Sequence, residues 1–212
     1  MSVAAEAQSD PRAMLLDLAE RVIVSLLLGL LAARFLPSII QGGNLANLLL
    51  FVSEGVVVLF ILFRRPARTI SKHPTDWLYG FAGTVLALLA VPGGEAALAP
   101  EAIVVALMAA GFLLQFWAKM TLRRSFGVVA ANRGVKASGP YRLLRHPMYA
   151  GYLLTHVSFL LAAPALWNVA VYAALWFFQI LRIRAEERIL RDDPAYRALS
   201  ARVRYRLIPF AY

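Results

Sequence analysis

The sequence predicts an all-α protein: a polytopic membrane bundle of about six helical segments, ending in a helical hairpin and a cytoplasmic amphipathic tail. Three observations carry this. Of the 212 residues, 60% are hydrophobic and 16% charged, whereas about a quarter of a globular chain is charged. The apolar residues fall in blocks near the roughly 17–25 residues that a helix needs to span a bilayer. The basic residues alternate with those blocks. Segments 64–72, 119–145 and 182–206 hold 4, 7 and 8 lysines and arginines, 19 of the 22 in the chain, while 37–47, 93–100 and 164–168 hold none. That is the positive-inside pattern. It assigns the net charge of +10 to anionic lipid on the cytoplasmic face and argues against nucleic acid as a partner.

In chain order, the apolar runs lie at about 14–36, 45–63, 77–92, 101–121, 148–163 and 165–183. "PSIIQGGN" and "VPGGEAALAP" interrupt them with glycine and proline, which end helices, and read as non-cytoplasmic turns. Only "APALWN" joins the last two runs, so a tight hairpin is expected. Its arms are short, and either one tilts or barely crosses the hydrocarbon. Past Arg182 the sixth helix continues as a charged amphipathic extension, broken at Asp193-Pro194, with Pro194 in the first turn of a short helix. Both termini are then cytoplasmic. The N-terminal stretch lacks the basic-then-apolar layout of a cleavable signal. Residues 1–118 form the N-terminal transmembrane part, expected on the substrate side, and 119–212 the catalytic region.

Absence of cysteine excludes disulfides, thiolate nucleophiles and thiolate metal sites. The three histidines, at 73, 146 and 156, are too scattered for a metal cluster. Polar groups concentrate instead in two segments at the cytoplasmic boundary, 133–152 and 182–188. The hairpin brings them to one membrane face, so that Tyr141, Arg145, His146 and Tyr149 meet Arg184, Glu186 and Glu187. Two readings stand. Arginine, tyrosine and histidine serve as interfacial anchors, and "RIRAEER" contains ordinary intrahelical pairs. Alternatively, cations facing adjacent carboxylates bind a ligand of both signs, with the helix start at Pro147 favouring its anionic group. Glu54, inside "NLLLFVSEGVVVLF", is an ionisable residue at membrane depth and a candidate by default, with His156, Gln115 and Gln179 as partners from other helices. Its two readings are an interhelical hydrogen bond and the lining of a lipid-accessible substrate channel.

The stretch "SGPYRLLRHPMYAGYLL", followed about thirty residues later by "RIRAEERIL", resembles the isoprenylcysteine carboxyl methyltransferase and phospholipid methyltransferase superfamily. The resemblance covers roughly 119–210, including "LRRSFGVV" and the "RVRYRLIPF" ending. It implies an integral-membrane enzyme using S-adenosylmethionine. It also implies a cofactor site of several pieces: Arg133, Gly134, Val135 and Lys136 along one stretch, where relatives can carry histidine at 133; Tyr141 of the Gly-x-Tyr element; and Arg145, His146, Pro147, Met148 and Tyr149. Glu186 and Glu187 stand where a family glutamate contacts the cofactor, and the resemblance does not separate them. Arg184 matches an arginine on the substrate side, so Arg184 and Glu187 are the expected catalytic residues.

Methyl transfer from a sulfonium is an in-line displacement, in which the protein positions the partners and excludes water. A carboxylate or thiolate acceptor is already nucleophilic and needs a cation such as Arg184. An amine needs a base, for which a glutamate is the candidate. The acceptor is expected to be lipophilic: a prenylcysteine carboxylate, a phospholipid amine or a small thiol. No Gly-x-Gly-x-x-Gly loop of the soluble dinucleotide-binding type is present. Two rivals remain, a small transporter using Glu54 and His156 for protons or cations, and a non-catalytic lipid-binding scaffold.

Overall fold

Apolar runs nucleate the helices, and proline and glycine set their ends. The computed structural model describes residues 11–33, 40, 58–91 and 96–209. Helix α1 spans Pro11–Ala33, and residues 58–62 are helical. Helix α2 is Pro74–Val85, prolonged by a 3-10 turn at Leu86–Leu89. Helix α3, Glu101–Leu122, runs into another 3-10 turn at Arg123–Ser125. The hairpin consists of α4, Pro147–Ala162, and α5, Leu166–Leu190, followed by α6, Pro194–Arg202. Two short strands, β1 (Thr69–Ile70) and β2 (Ala131–Asn132), pair antiparallel with Thr69 opposite Asn132.

The chain is thus mostly helical, as expected, while the count of six segments is not confirmed. Among the described residues two helices, Glu101–Ser125 and Leu166–Leu190, are long and apolar enough to cross a membrane. Helix α4 has 16 residues, about 24 Å at 1.5 Å per residue, against a hydrocarbon core of about 30 Å. Helix α2 is shorter still. Helix α1 is long, yet it carries Asp17, Glu20 and Arg21 in its first half. The run at 45–63 is described only from residue 58, and Glu54 lies outside the described residues.

The hairpin also differs from the tight pair expected. Its arms share a short turn and then diverge: α4 packs chiefly on α3, and α5 on α2. Glycines decide this. A Cβ added at Gly151 would stand 2.7 Å from the Gly111 carbonyl oxygen, so α3 and α4 approach backbone to backbone. Ser158 Oγ donates to Val104 O at 2.7 Å near the other end of the same pair. Helix α5 runs past the expected exit at Arg182 without a break, because nothing before Asp193-Pro194 interrupts it. Asp193 then caps α6, accepting from Ala195 N at 2.8 Å.

The tail folds back rather than trailing away. Arg145 N and His146 N donate to Tyr205 O and Arg206 O, both at 2.9 Å. Leu207 enters the main core with Val24, Ile61, Val128, Met148 and Ile183. One core therefore ties α1, the loop before β2, both hairpin arms and the tail together.

Candidate functional site

The site is built where α4 begins. Pro147 occupies the first helical turn with His146 as its cap residue, a position where the missing N–H costs nothing. His146 and Tyr149 are therefore three residues apart on one face, rings stacked with centroids 5.7 Å apart. Opposite them, α5 presents Arg182 and Glu186 one helical turn apart. Tyr149 Oη donates to Glu186 Oε1, and Arg182 Nε lies 3.3 Å from the same oxygen. The Arg182 guanidinium also covers the Tyr149 ring at 5.2 Å and donates to Gly127 O at 3.1 Å. Phenol, arginine and carboxylate thus close a network across the hairpin.

His146, Tyr149, Glu186 and Gly127 line a cavity with about 750 Å³ of empty space, its open mouth included. Phe126, Val129, Leu190 and Leu199 give it an apolar wall, and Lys136, Arg145 and Glu186 give it charge. Burial pushes the Tyr141 phenol well above its ordinary value, and the charge of Glu186 adds to the effect. Tyr141 is therefore a protonated donor at neutral pH. Burial, then the charge of Glu187, likewise holds the Tyr196 phenol in its protonated form.

Of the residues singled out in the sequence, Arg133, Gly134, Val135, Lys136, Tyr141, Arg145, His146, Met148, Tyr149 and Glu186 line this cavity. Pro147 shapes the helix start without lining it. The two glutamates separate: Glu186 faces the cavity, and Glu187 is buried behind it. Glu187 Oε1 lies 3.0 Å from Arg145 Nη1 and 3.3 Å from His146 Nε2, and Arg206 Nε reaches both its oxygens at 3.0 Å. Arg184 is exposed and outside the lining. Two residues apart on a helix means nearly opposite faces, so the inward arginine is Arg182. His156 packs among the rings of Tyr152, Tyr172 and Trp176, and Gln115 donates to Thr155 Oγ1 at 3.2 Å.

Arg133 reaches the cavity just past β2, and α1 fixes the loop that leads into β2. Glu20, fully buried, accepts from Val128 N at 2.7 Å and Val129 N at 2.9 Å. Its other oxygen pairs with Arg133 and, at 3.0 Å, with Arg64. Asp17 joins both arginines, at 3.0 Å to Arg64 and 2.9 Å to Arg133. Two carboxylates thus face two buried guanidiniums, and Asp17 also pairs with Arg21 at 3.2 Å; buried charges are normally paired. Past the loop, Asn132 Oδ1 accepts from Gly134 N at 2.9 Å, and Gly134 takes φ +96°, a conformation natural to glycine. Asn132 also donates to Asp193 at 2.8 Å.

Asp17, Glu20, Arg64, Arg182 and Arg206 are the polar residues that sequence reasoning missed. A signal existed for three. Asp17 and Glu20 are acids inside an otherwise apolar run, the feature that singled out Glu54. Arg182 and Glu186 have the i, i+4 spacing of a helical pair. Arg64 and Arg206 looked like any other basic residue at a membrane face.

The cavity chemistry suits S-adenosylmethionine: cations for its carboxylate, Glu186 for its hydroxyls or ammonium, and an apolar wall with aromatic rings for the purine and sulfonium. No curated protein matches the chain. Residues 103–192 match the model of the Isoprenylcysteine carboxyl methyltransferase (ICMT) family. That span holds the cavity loop, both hairpin arms and both glutamates, so across 103–192 the chain is similar to the isoprenylcysteine carboxyl methyltransferase family.

Proposed function

We propose that this chain is a multi-pass membrane methyltransferase that moves a methyl group from S-adenosylmethionine to a lipophilic acceptor. The carrying observation is the shared cavity: ten residues expected at the cofactor from the sequence line it, and all ten lie inside the family-matched segment. Similarity to that family across 103–192 supports a methyltransferase on a membrane protein; the cofactor, acceptor and residue roles belong to this proposal. In it the basic loops, both termini and the cavity mouth face the cytoplasm, and the acceptor arrives from the bilayer.

When bound, S-adenosylmethionine supplies an electrophilic methyl group on a sulfonium. The protein holds and orients. Lys136 and Arg145 stand at the cavity as cations for a carboxylate. Glu186, oriented by Tyr149 and Arg182, offers its remaining acceptor capacity to hydroxyl or ammonium donors. Glu187 acts from behind: clamped between Arg145, His146 and Arg206, it orients His146 and fastens the tail that completes the wall. Arg184 is left at the exposed boundary of α5, where it meets the lipid headgroup region. Closing the wall excludes water and keeps the methyl group for the acceptor.

Calorimetry with S-adenosylhomocysteine on purified protein tests the reading. Wild type is expected to bind, Glu186→Ala and His146→Ala to bind at least about tenfold more weakly, a loss of about 1.4 kcal/mol. No binding by wild type removes the cofactor, and unchanged affinity in both variants removes the site.

A further inference from the structure

Helix α1 stands outside the family-matched residues 103–192, yet its Glu20, with no exposed surface, reaches the loop that walls the cavity. Glu20 Oε1 accepts from Val128 N at 2.7 Å and Val129 N at 2.9 Å, and the flanking Gly127 and Val129 line the cavity. The Val128 N–H shares a peptide plane with the Gly127 carbonyl. In a trans peptide the two groups point opposite ways. Holding the N–H on Glu20 therefore aims Gly127 O away from α1, and Gly127 O accepts from Arg182 Nη2 at 3.1 Å.

Packing keeps that peptide from sliding. A Cβ added at Gly127 would collide with Arg133 Nη1 and stand 3.2 Å from Glu20 Oε1, so Gly127 is seated directly on the Glu20–Arg133 pair. On the far side, the buried Arg182 spreads its guanidinium over three groups. Besides Gly127 O, its Nη1 donates to Thr84 Oγ1 at 3.4 Å and its Nε lies 3.3 Å from Glu186 Oε1. The guanidinium is a rigid planar fork, so a shift of one acceptor turns the fork away from the others. Glu186 is the glutamate that faces the cavity. The line from α1 to the ligand-facing carboxylate is thus short and made of stiff parts.

We propose that Glu20 is a positioning residue for Glu186, and through it for the cofactor, acting by way of the Gly127–Val128 peptide and Arg182. This rests on the methyltransferase reading above and gives α1 a part in it. A carboxylate is needed at position 20 because each oxygen has its own task. Oε1 takes the two loop N–H groups, while Oε2 faces Arg133 and, at 3.0 Å, Arg64. An amide has one acceptor oxygen and one donor nitrogen. In Glu20→Gln the nitrogen must therefore confront either the loop N–H groups or the guanidiniums, and the loop moves.

The test has two readouts on the full chain: calorimetry with S-adenosylhomocysteine, and labelling of Glu186 by dicyclohexylcarbodiimide, followed by peptide mass spectrometry, which needs no cofactor. Glu20→Gln is expected to bind S-adenosylhomocysteine at least about tenfold more weakly, as when a charged hydrogen-bonding group is misplaced, and to label faster at Glu186. Arg182→Lys should do both, because an ammonium cannot hold Gly127 O and Glu186 together. Adding Glu20→Gln to Arg182→Lys should then change neither readout further; additive losses would overturn the proposal. Gly127→Ala displaces the same peptide without removing a charge. It should reproduce both changes, and it replaces Glu20→Gln where that variant does not fold. Ser158→Ala removes a hydrogen bond to Val104 O at the far end of α4 and should bind like wild type. Equal weakening there would make the effect of Glu20 one of stability alone and overturn the proposal. Wild type that binds S-adenosylhomocysteine, with Glu20→Gln and Gly127→Ala unaltered, loses only the role of Glu20. Wild type that does not bind it loses the methyltransferase reading, while faster Glu186 labelling in both single variants still upholds the relay from α1.

Discussion

Arg206 clasps Glu187 with its Nε 3.0 Å from each carboxylate oxygen and its Nη2 2.9 Å from Oε2. One residue is near the end of the chain and the other in the last turn of α5. The pair therefore fastens the tail, whose backbone accepts from Arg145 and His146, to the helix behind the cavity.

Arg206→Met is expected to lower stability by about 1–3 kcal/mol, the usual cost of losing a hydrogen bond to a buried charged group, moderated because Arg145 still pairs with Glu187. A thermal melt in detergent reads the loss. Limited proteolysis should cut first after Arg202 or Arg204.

Glu20→Gln leaves Arg64 and Arg133 buried with a single carboxylate, that of Asp17. Breaking a buried ion network in this way costs about 3–5 kcal/mol, so a large fall in melting temperature is expected. The double variant Glu20→Gln/Arg64→Met restores the charge balance and should recover part of the loss. A double-mutant cycle measures the coupling, and purely additive losses would contradict the network.

Gly151→Val is expected to separate α3 from α4. The added Cβ would meet the Gly111 carbonyl at 2.7 Å and Gln115 at 2.7 Å, and backbone cannot yield as a side-chain tip can. Overpacking of this kind costs about 1–3 kcal/mol. Among the described residues nothing lies within 4 Å of a Cβ at Gly29, so Gly29→Val should be tolerated, and a comparison of the two melts isolates the contact.

Asp193 supplies an acid-dependent part of the stability. Hydrogen bonds from Asn132 and the start of α6 hold its carboxyl below the usual aspartate range. The folded state thus favours the ionised form. Its contribution is complete above the unfolded value of about 3.9 and disappears as pH falls through the lower folded value. Asp193→Asn keeps a capping oxygen but cannot titrate, so its melting temperature should fall less than that of wild type between neutral pH and the acid range.

Sequence by itself determined the helical class, the runs that become α3 and α5 and the break at Asp193-Pro194, which follow from local rules: apolar length and proline at a helix start. Ten of the residues that line the cavity came from the family resemblance. Tertiary structure decided what depends on distance along the chain. Which glutamate faces the cavity is settled by the rotation of α5, where adjacent positions point about 100° apart. The partner of α4 is settled by Gly111 and Gly151, forty residues apart, rather than by the short turn to α5. That Asp17 and Glu20 neutralise Arg64 and Arg133 could not be read locally either. Each residue alone looks like a misplaced charge or a membrane anchor, and only burial, which makes an unpaired charge intolerable, requires the four to meet.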